Sequence, residues 1–255
     1  MRIRKRFLAL ILTAAALAAF CEANYEPPIL MYHRVSAEAD PDHEPAVTPQ
    51  TFARQMEFLR VHRYNVIGLA DLADLIRQKK RVPRNTVVIT FDDGYLDNFE
   101  NAFPSLKALG LPAVIFMITD NIGRPGWLAA EDLKILDEAG ITIGSHTVSH
   151  AFLPNVYRKD ELVRQIRESG ETLKKIVGRD ILLFSYPAGG VTRESRDIVA
   201  EEGYAAAVTT NYGNARGDVY ALRRIKVSEG DANLFKFWGK LTGLYRFGKS
   251  FVPIR

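Results

Sequence analysis

The chain has 255 residues, of which 47% are hydrophobic and 25% charged, and this composition fits one α/β domain with a full-sized core. Cys21 is its only cysteine, which excludes a disulfide framework and a thiolate metal site. The net charge of +4 does not indicate a nucleic-acid partner, because the excess of basic residues lies at the N-terminus.

Residues 1–23 have the order of a secretory signal, with a basic head, an apolar run over 7–20 and an exit rich in small residues. The apolar run is shorter than the ~20 residues that span a bilayer. We favour cleavage after Ala23, which leaves a single domain over 24–255. Cleavage after Ala18 and lipid attachment at Cys21 remain alternatives.

Cleavage after Ala23 removes four basic residues and one acidic residue, so the net charge falls from +4 to +1. The sequence pI of about 9.1 is therefore mostly a property of the leader. We expect an exported monomer that is periplasmic, extracellular or attached to the cell envelope.

Short apolar runs rich in β-branched residues alternate with helical patterns along the rest of the chain. The predicted strands are 29–32, 64–67, 86–91, 113–118, 141–144, 181–186, 205–209 and 220–227. The first predicted helix begins at Pro49, after a Thr48 cap. The other predicted helices are 97–109, 130–139, 159–177 and 192–202. Seven or eight parallel strands favour a barrel over an open doubly wound sheet. The sequence has no dinucleotide fingerprint, no P-loop and no internal repeat.

The C-terminal segment 231–247 has an amphipathic pattern, in which Leu234, Trp238, Leu241 and Tyr245 recur at helical spacing. We expect this helix to pack against the barrel through these residues. Peripheral contact with a membrane surface is the alternative, because basic residues surround them.

The stretch TFDDGY, residues 90–95, ends a buried strand with two adjacent carboxylates. Buried charge is costly without a partner, and a helix cap would need only one acid. In a parallel α/β barrel, functional sites are built at the carboxyl ends of strands. Asp92 and Asp93 are therefore candidate functional residues.

The stretch SHTVSH, residues 145–150, places His146 at a strand end and His150 four residues later. One helical turn or a tight loop would bring both rings to one side. Two histidines and a carboxylate form a common site for a divalent metal, with positions left for water and substrate.

Together, TFDDGY, SHTVSH and FSYPAGG (184–190) resemble the three motifs of the polysaccharide deacetylase family, carbohydrate esterase family four. The resemblance spans roughly 29–227 and implies a distorted (β/α) barrel, usually of seven strands. It also implies that Asp92 is the general base, that Asp93, His146 and His150 bind a divalent metal, with zinc as the expected ion, and that the backbone N–H of Ala188 faces an oxyanion.

Two departures from the family pattern follow from the sequence. The third motif lacks the arginine that orients the base in many members, and it carries Ala188 where an aromatic residue would form a wall of the sugar groove. Relatives often show an arginine near the last strand, which aligns Arg224 as the residue that orients Asp92. An outward salt bridge of Arg224 is the alternative.

The second departure is the absence of any histidine after His150, where many members carry the catalytic acid. In the branch of exported poly-N-acetylglucosamine deacetylases, an early Tyr-His-x-Val segment supplies it, and MYHRV (31–35) matches. The resemblance therefore implies that His33 is the general acid, held protonated by an acidic neighbour, whereas a structural histidine is the alternative reading.

The implied activity is metal-dependent removal of N-acetyl groups from an N-acetylglucosamine-containing glycan outside the cytoplasm. A non-catalytic glycan-binding protein on the same barrel is the alternative. The intact set Asp92, Asp93, His146 and His150 argues against that alternative.

Overall fold

The computed structural model describes residues 25–39, 45–210 and 217–245, with three isolated positions at Thr13, Ala16 and Phe20. The leader's processing sites at Ala18, Cys21 and Ala23 lie outside the described residues, so they remain predictions. None of the described helices is both long enough and apolar enough to span a bilayer.

Parallel strands and surrounding helices alternate along the described chain. The strands are β1 Ile29–Tyr32, β2 Arg34–Val35, β3 Ala46–Val47, β4 Asn65–Val66, β5 Thr86–Phe91, β6 Val114–Met117, β7 Thr142–Ser145, β8 Leu183–Ser185, β9 Ala206–Thr209, β10 Leu222–Arg223 and β11 Ile225–Lys226. The helices are α1 Pro49–Val61, α2 Leu69–Arg77, α3 Phe103–Leu109, α4 Ala130–Glu138, α5 Lys159–Val177, α6 Arg193–Glu201 and α7 Leu234–Leu241.

The main sheet has the order β10-β9-β8-β7-β6-β5-β1-β11, and every pairing in it is parallel. Only Arg224 separates β10 from β11, so one continuous segment pairs with both ends of the sheet. Leu222 of this segment lies opposite Val208, and Ile225 lies opposite Leu30. Counted once, the segment is the seventh strand, and the predicted seven-stranded distorted barrel is confirmed.

The walls of the barrel are buried on both faces, as expected for parallel strands covered by helices. Along β5, Val87 and Ile89 belong to the larger apolar cluster, whereas Val88 belongs to a second cluster with Phe116 of β6. This alternation places successive side chains on opposite faces of the strand. Both faces of β5 are dry, and its carboxyl end therefore delivers polar residues into a protected site.

The predicted helices before the C-terminal segment are found with two differences. The pattern over 97–109 divides into a π-helical turn, Asn98–Ala102, followed by α3, where Pro104 has no N–H to continue an α-helical ladder. Helix α2 was not predicted from the sequence. The predicted Thr48 cap of α1 is confirmed by a hydrogen bond from the Thr51 N–H to the Thr48 hydroxyl.

The C-terminal helix is shorter than predicted, and Leu234 and Leu241 pack against the core as expected whereas Trp238 does not. Helix α7 covers Leu234–Leu241, and its buried residues are Phe237 and Leu241. Trp238, expected on the packed face, is 46% exposed. The reason is that Phe237 packs edge-on against Phe58 of α1, which turns Trp238 outward.

Candidate active site

The carboxylate of Asp92 lies at the end of β5 and forms an end-on ion pair with the two terminal nitrogens of Arg224. Nη1 of Arg224 donates to Oδ1 of Asp92 at 2.6 Å, and Nη2 donates to Oδ2 at 2.5 Å. Both residues are almost completely buried. The structure thus brings Arg224 to the predicted base rather than to the outer surface.

Burial alone would raise the pKa of Asp92, but the charge of Arg224 and the neighbouring His146 outweigh it. The net effect holds the pKa of this carboxyl well below its usual range. Asp92 is therefore ionised at neutral pH, and it can accept a proton there.

Two hydroxyl groups complete the surroundings of this ion pair, and sequence reasoning missed both. Ser185 accepts a hydrogen bond from Nη2 of Arg224 at 2.9 Å, and its hydroxyl lies 3.3 Å from Oδ1 of Asp92. Thr90 accepts from Nη1 of Arg224 at 3.2 Å. Each lies at the end of a buried strand, and that position was the only signal in the sequence.

Asp93, His146 and His150 bring one ligand atom each to a common point, with all three atoms within 4.8 Å of one another. Nε2 of His146 and Nε2 of His150 each lie 3.5 Å from Oδ1 of Asp93. Tetrahedral zinc bonds of ~2.0–2.2 Å separate neighbouring ligand atoms by about 3.4 Å. The three residues therefore fit a divalent metal.

Two further features favour a metal at this cluster. Nδ1 of His146 donates to the carbonyl oxygen of Ser185 at 2.8 Å, which directs Nε2 toward the cluster as in many metal-binding histidines. Oδ1 of Asp93 is buried and makes no hydrogen bond to the described residues. A bound cation would satisfy this oxygen.

The loops of the site contain backbone in the left-handed region. Of seven non-glycine residues with positive φ among those described, four lie in the three motifs: Asp93, Thr147, His150 and Ala188. Such conformations cost energy and persist only where the surroundings enforce them. Here they turn Asp93 and His150 toward the same point.

Gln165 of α5 holds the loop that carries His150, and sequence reasoning missed it too. Its Oε1 accepts hydrogen bonds from the N–H groups of Val148 and Ser149, both at 3.1 Å. Gln165 is buried. A buried polar residue on a helix of otherwise regular amphipathic pattern gives no distinct sequence signal.

His33 follows β1 directly, at the same edge as the carboxylates. Tyr32 pairs with Phe91, so His33 and Asp92 are the next residues on two neighbouring strands. Burial lowers the pKa of His33, although the charges of Asp92 and Asp93 oppose the shift. Nδ1 of His33 has no hydrogen-bond partner among the described residues, so the acidic neighbour expected to keep the ring protonated is not bonded to that nitrogen.

Ala188 lies in the single helical turn Pro187–Gly189 after β8. Its φ of 50° is in the left-handed region, and its side chain is exposed. The next residue, Gly189, cannot carry a side chain, because a Cβ there would lie 2.0 Å from Oγ1 of Thr210. The turn therefore keeps a fixed backbone close to the carboxyl ends of the strands.

A closed parallel barrel with a buried ionised carboxylate beside an Asp-His-His cluster defines a metal-dependent hydrolase of the α/β-barrel class. Comparison with known proteins narrows this class. The sequence profile of the polysaccharide deacetylase family matches residues 79–207. The chain belongs to this family.

Two relatives illustrate the match. YxkH of Bacillus subtilis, whose name assigns it provisionally to the polysaccharide deacetylases, is 34% identical over 205 residues, or 80% of this chain and 72% of that protein. The poly-β-1,6-N-acetyl-D-glucosamine N-deacetylase of Staphylococcus epidermidis is 28% identical over 210 residues, or 76% of this chain and 72% of that protein.

Solved structures of similar fold include the Streptococcus pyogenes deacetylase PplD in complex with acetate, with a TM-score of 0.75 and 25% identity over 83% of this chain and 98% of that chain. IcaB from Ammonifex degensii has a TM-score of 0.73 and 25% identity over 84% of this chain and 96% of that chain.

Proposed function

We propose that this protein removes N-acetyl groups from an N-acetylglucosamine-containing polysaccharide outside the cytoplasm, with a divalent metal as cofactor. The observation that carries the proposal is the ionised Asp92 beside the cluster of Asp93, His146 and His150. The name of the S. epidermidis relative supports this substrate class, and the predicted leader supports the location.

A divalent ion bound by Asp93, His146 and His150 would act as a Lewis acid that polarises the acetamide carbonyl and lowers the pKa of the attacking water. Zinc is the expected ion, because imidazole and carboxylate ligands in a tetrahedral arrangement suit it.

The side chains divide the proton transfers between them. Asp92, oriented by Arg224, accepts a proton from the attacking water. The backbone N–H of Ala188 donates to the oxygen that becomes negative, a role that needs no side chain. His33 protonates the departing amine, without which the carbon–nitrogen bond breaks slowly. The products are acetate and a free amino sugar.

The second candidate, a glycan-binding protein without catalysis, predicts binding without turnover. It has no specific support in the site, because binding alone does not need a buried carboxylate held ionised by an arginine. It is nevertheless a distinct outcome of the experiment below.

The test measures acetate release and free amine formation from β-1,6-linked and β-1,4-linked N-acetylglucosamine oligomers. We expect equal amounts of both products from one linkage, loss of activity with a chelator and recovery with added zinc. The matched control is Asp92→Asn, which keeps the shape of the site but lacks the base. Oligomer binding without acetate release by the zinc-loaded protein would contradict the proposal and support the binding protein.

A further inference from the structure

A group of buried polar side chains ties the segment that carries His33 to the chain that follows the two carboxylates. Asp97 and Asn98, here called the clamp, lie just after TFDDGY, at the start of the π-helical turn. Both side chains are buried. Neither takes part in the steps described above.

Asp97 binds the two residues that follow His33. Its Oδ1 accepts a hydrogen bond from the Val35 N–H at 3.1 Å, and its Oδ2 accepts from Nε of Arg34 at 3.0 Å. Hydrogen bonds to a charged group are stronger than those between neutral groups. The carboxylate thus fixes β2 against the loop after β5.

Asn98 binds His33 itself. Its Nδ2 donates to the backbone carbonyl of His33 at 2.7 Å and to Oδ1 of Asp97 at 3.0 Å. Both hydrogens of the amide are used, so the orientation of this group is determined by its two acceptors. The clamp therefore reaches the one residue between β1 and β2.

His33 needs such a restraint. It belongs to neither strand, and Nδ1 of its ring has no hydrogen-bond partner among the described residues. The position of the ring therefore depends on its backbone, since Nδ1 makes no bond that would fix it. A displacement of about 1 Å in a catalytic group can cost ~10²-fold in rate.

We propose that Asp97 and Asn98 are positioning residues that hold His33 within reach of the leaving amine. This inference rests on the proposed function, in which His33 is the acid. The clamp is only a few residues from Asp92 along the chain, so it fixes the acid and the base relative to one another. The π-helical turn, a feature often found at functional sites, directs Asn98 toward His33.

Asn101 provides a matched control. It lies in the same π-helical turn, and its Nδ2 donates to the carbonyl of Val35 at 2.7 Å. The bond has the same type and length as the bond from Asn98 to His33, but it acts two residues further along the chain. Loss of either bond weakens the segment, and only the loss at Asn98 releases His33.

The experiment compares Asn98→Ala, Asn101→Ala and His33→Ala on an N-acetylglucosamine oligomer and on an activated acetate ester, whose leaving group needs no proton. We expect Asn98→Ala to lower kcat for the amide about 10- to 100-fold and for the ester much less. Asn101→Ala should lower both slightly and equally. Zinc content should stay at the wild-type level in all three.

Two further measurements extend the test: the first does not need turnover of the zinc-loaded enzyme, and the second uses another residue of the clamp. In the zinc-free protein, the NMR signals of the His33 ring should change in Asn98→Ala and not in Asn101→Ala. Asp97→Asn, which keeps the shape of the side chain and removes its charge, should give a smaller amide-specific loss. This variant serves if Asn98→Ala does not fold.

The outcomes separate the inference from the function on which it rests. The inference alone is overturned if Asn98→Ala lowers amide and ester hydrolysis equally. It is also overturned if Asn98→Ala lowers amide hydrolysis as much in the His33→Ala variant as in the wild-type protein. An absence of amide-specific loss in His33→Ala itself would overturn the assignment of the acid, and the inference with it. The inference is supported if Asn98→Ala lowers only amide hydrolysis and has no further effect in the His33→Ala variant.

Discussion

Arg224 and Asp92 form a buried end-on ion pair although 132 positions separate them in the chain. Arg224 is also the residue between β10 and β11, where the last segment changes its pairing from β9 to β1. Its N–H donates to the carbonyl of Thr209 at 2.9 Å. Closure of the barrel and orientation of Asp92, the proposed base, therefore depend on the same position.

The first prediction concerns this pair. Arg224→Met should lower the free energy of unfolding by about 3–5 kcal/mol, because it leaves the buried carboxylate of Asp92 unpaired. Adding Asp92→Asn should restore part of that loss, since the unpaired charge is then gone. Denaturant unfolding of the two single variants and the double variant measures the coupling.

Arg223 is the control for the same prediction. It lies beside Arg224 on the opposite face of the segment and pairs with Glu26 at 2.5 Å. Arg223→Met should leave acetate release within a few-fold of wild type, whereas Arg224→Met should abolish it. Equal activity of the two variants would contradict the role of Arg224.

The second prediction concerns the metal. His146→Ala should lose the bound ion and nearly all activity while remaining folded, because one carboxylate and one imidazole bind zinc weakly. Metal content by mass spectrometry and acetate release measure both effects. His62→Ala, at the end of α1 and away from the cluster, should keep both at the wild-type level. Wild-type metal content in His146→Ala would contradict the metal site.

The third prediction concerns Ala188. Ala188→Gly should keep acetate release within about 3-fold, because the proposed role uses only the backbone N–H. It should also raise the free energy of unfolding by about 0.5–1 kcal/mol, since glycine adopts the φ of 50° without steric cost. A large loss of activity with unchanged stability would show that the methyl group matters.

The fourth prediction concerns His33. His33→Ala should retain metal and fold but lower amide hydrolysis ~10²–10⁴-fold, as expected for a lost acid–base group. Hydrolysis of an activated acetate ester should fall much less. A histidine with only a structural role would reduce both rates by the same factor and lower the melting temperature.

The strand ends were the most informative part of the sequence. Continuous apolar runs that stop at Asp92 or His146 predicted both the barrel and the place where its polar residues converge. Alternation along the last strand places Arg223 and Arg224 on opposite faces but does not say which one faces inward, and the choice of Arg224 as the partner of Asp92 came from the resemblance to the family.

Residues that support the site from a distance could not be predicted in this way. Ser185 acts partly through its backbone carbonyl, which every residue type has. Asp97 and Asn98 depend on a π-helical turn that displaces side chains from α-helical positions. Trp238 of α7 was placed wrongly on the packed face, because the contact of Phe237 with Phe58 of α1 could not be read from the pattern of the helix alone.

The last prediction concerns Gln165, which accepts hydrogen bonds from the N–H groups of Val148 and Ser149, just before His150. Gln165→Ala should leave these donors unsatisfied and lower zinc affinity about 10- to 100-fold, the usual effect of losing a group that supports metal ligands. Calorimetric titration of zinc into the metal-free protein measures it.

Glu161→Ala is the matched control for Gln165. Glu161 accepts a hydrogen bond from Nε2 of Gln165 at 2.9 Å, and its side chain is 37% exposed. It does not bind Oε1 of Gln165, the atom that accepts from the N–H groups of the loop. Glu161→Ala should keep zinc affinity within about 3-fold of wild type, because Nε2 of Gln165 still donates to the Ser149 hydroxyl at 3.0 Å. If both variants weaken zinc binding equally, then the position of His150 depends on α5 as a whole rather than on the two bonds that Gln165 makes.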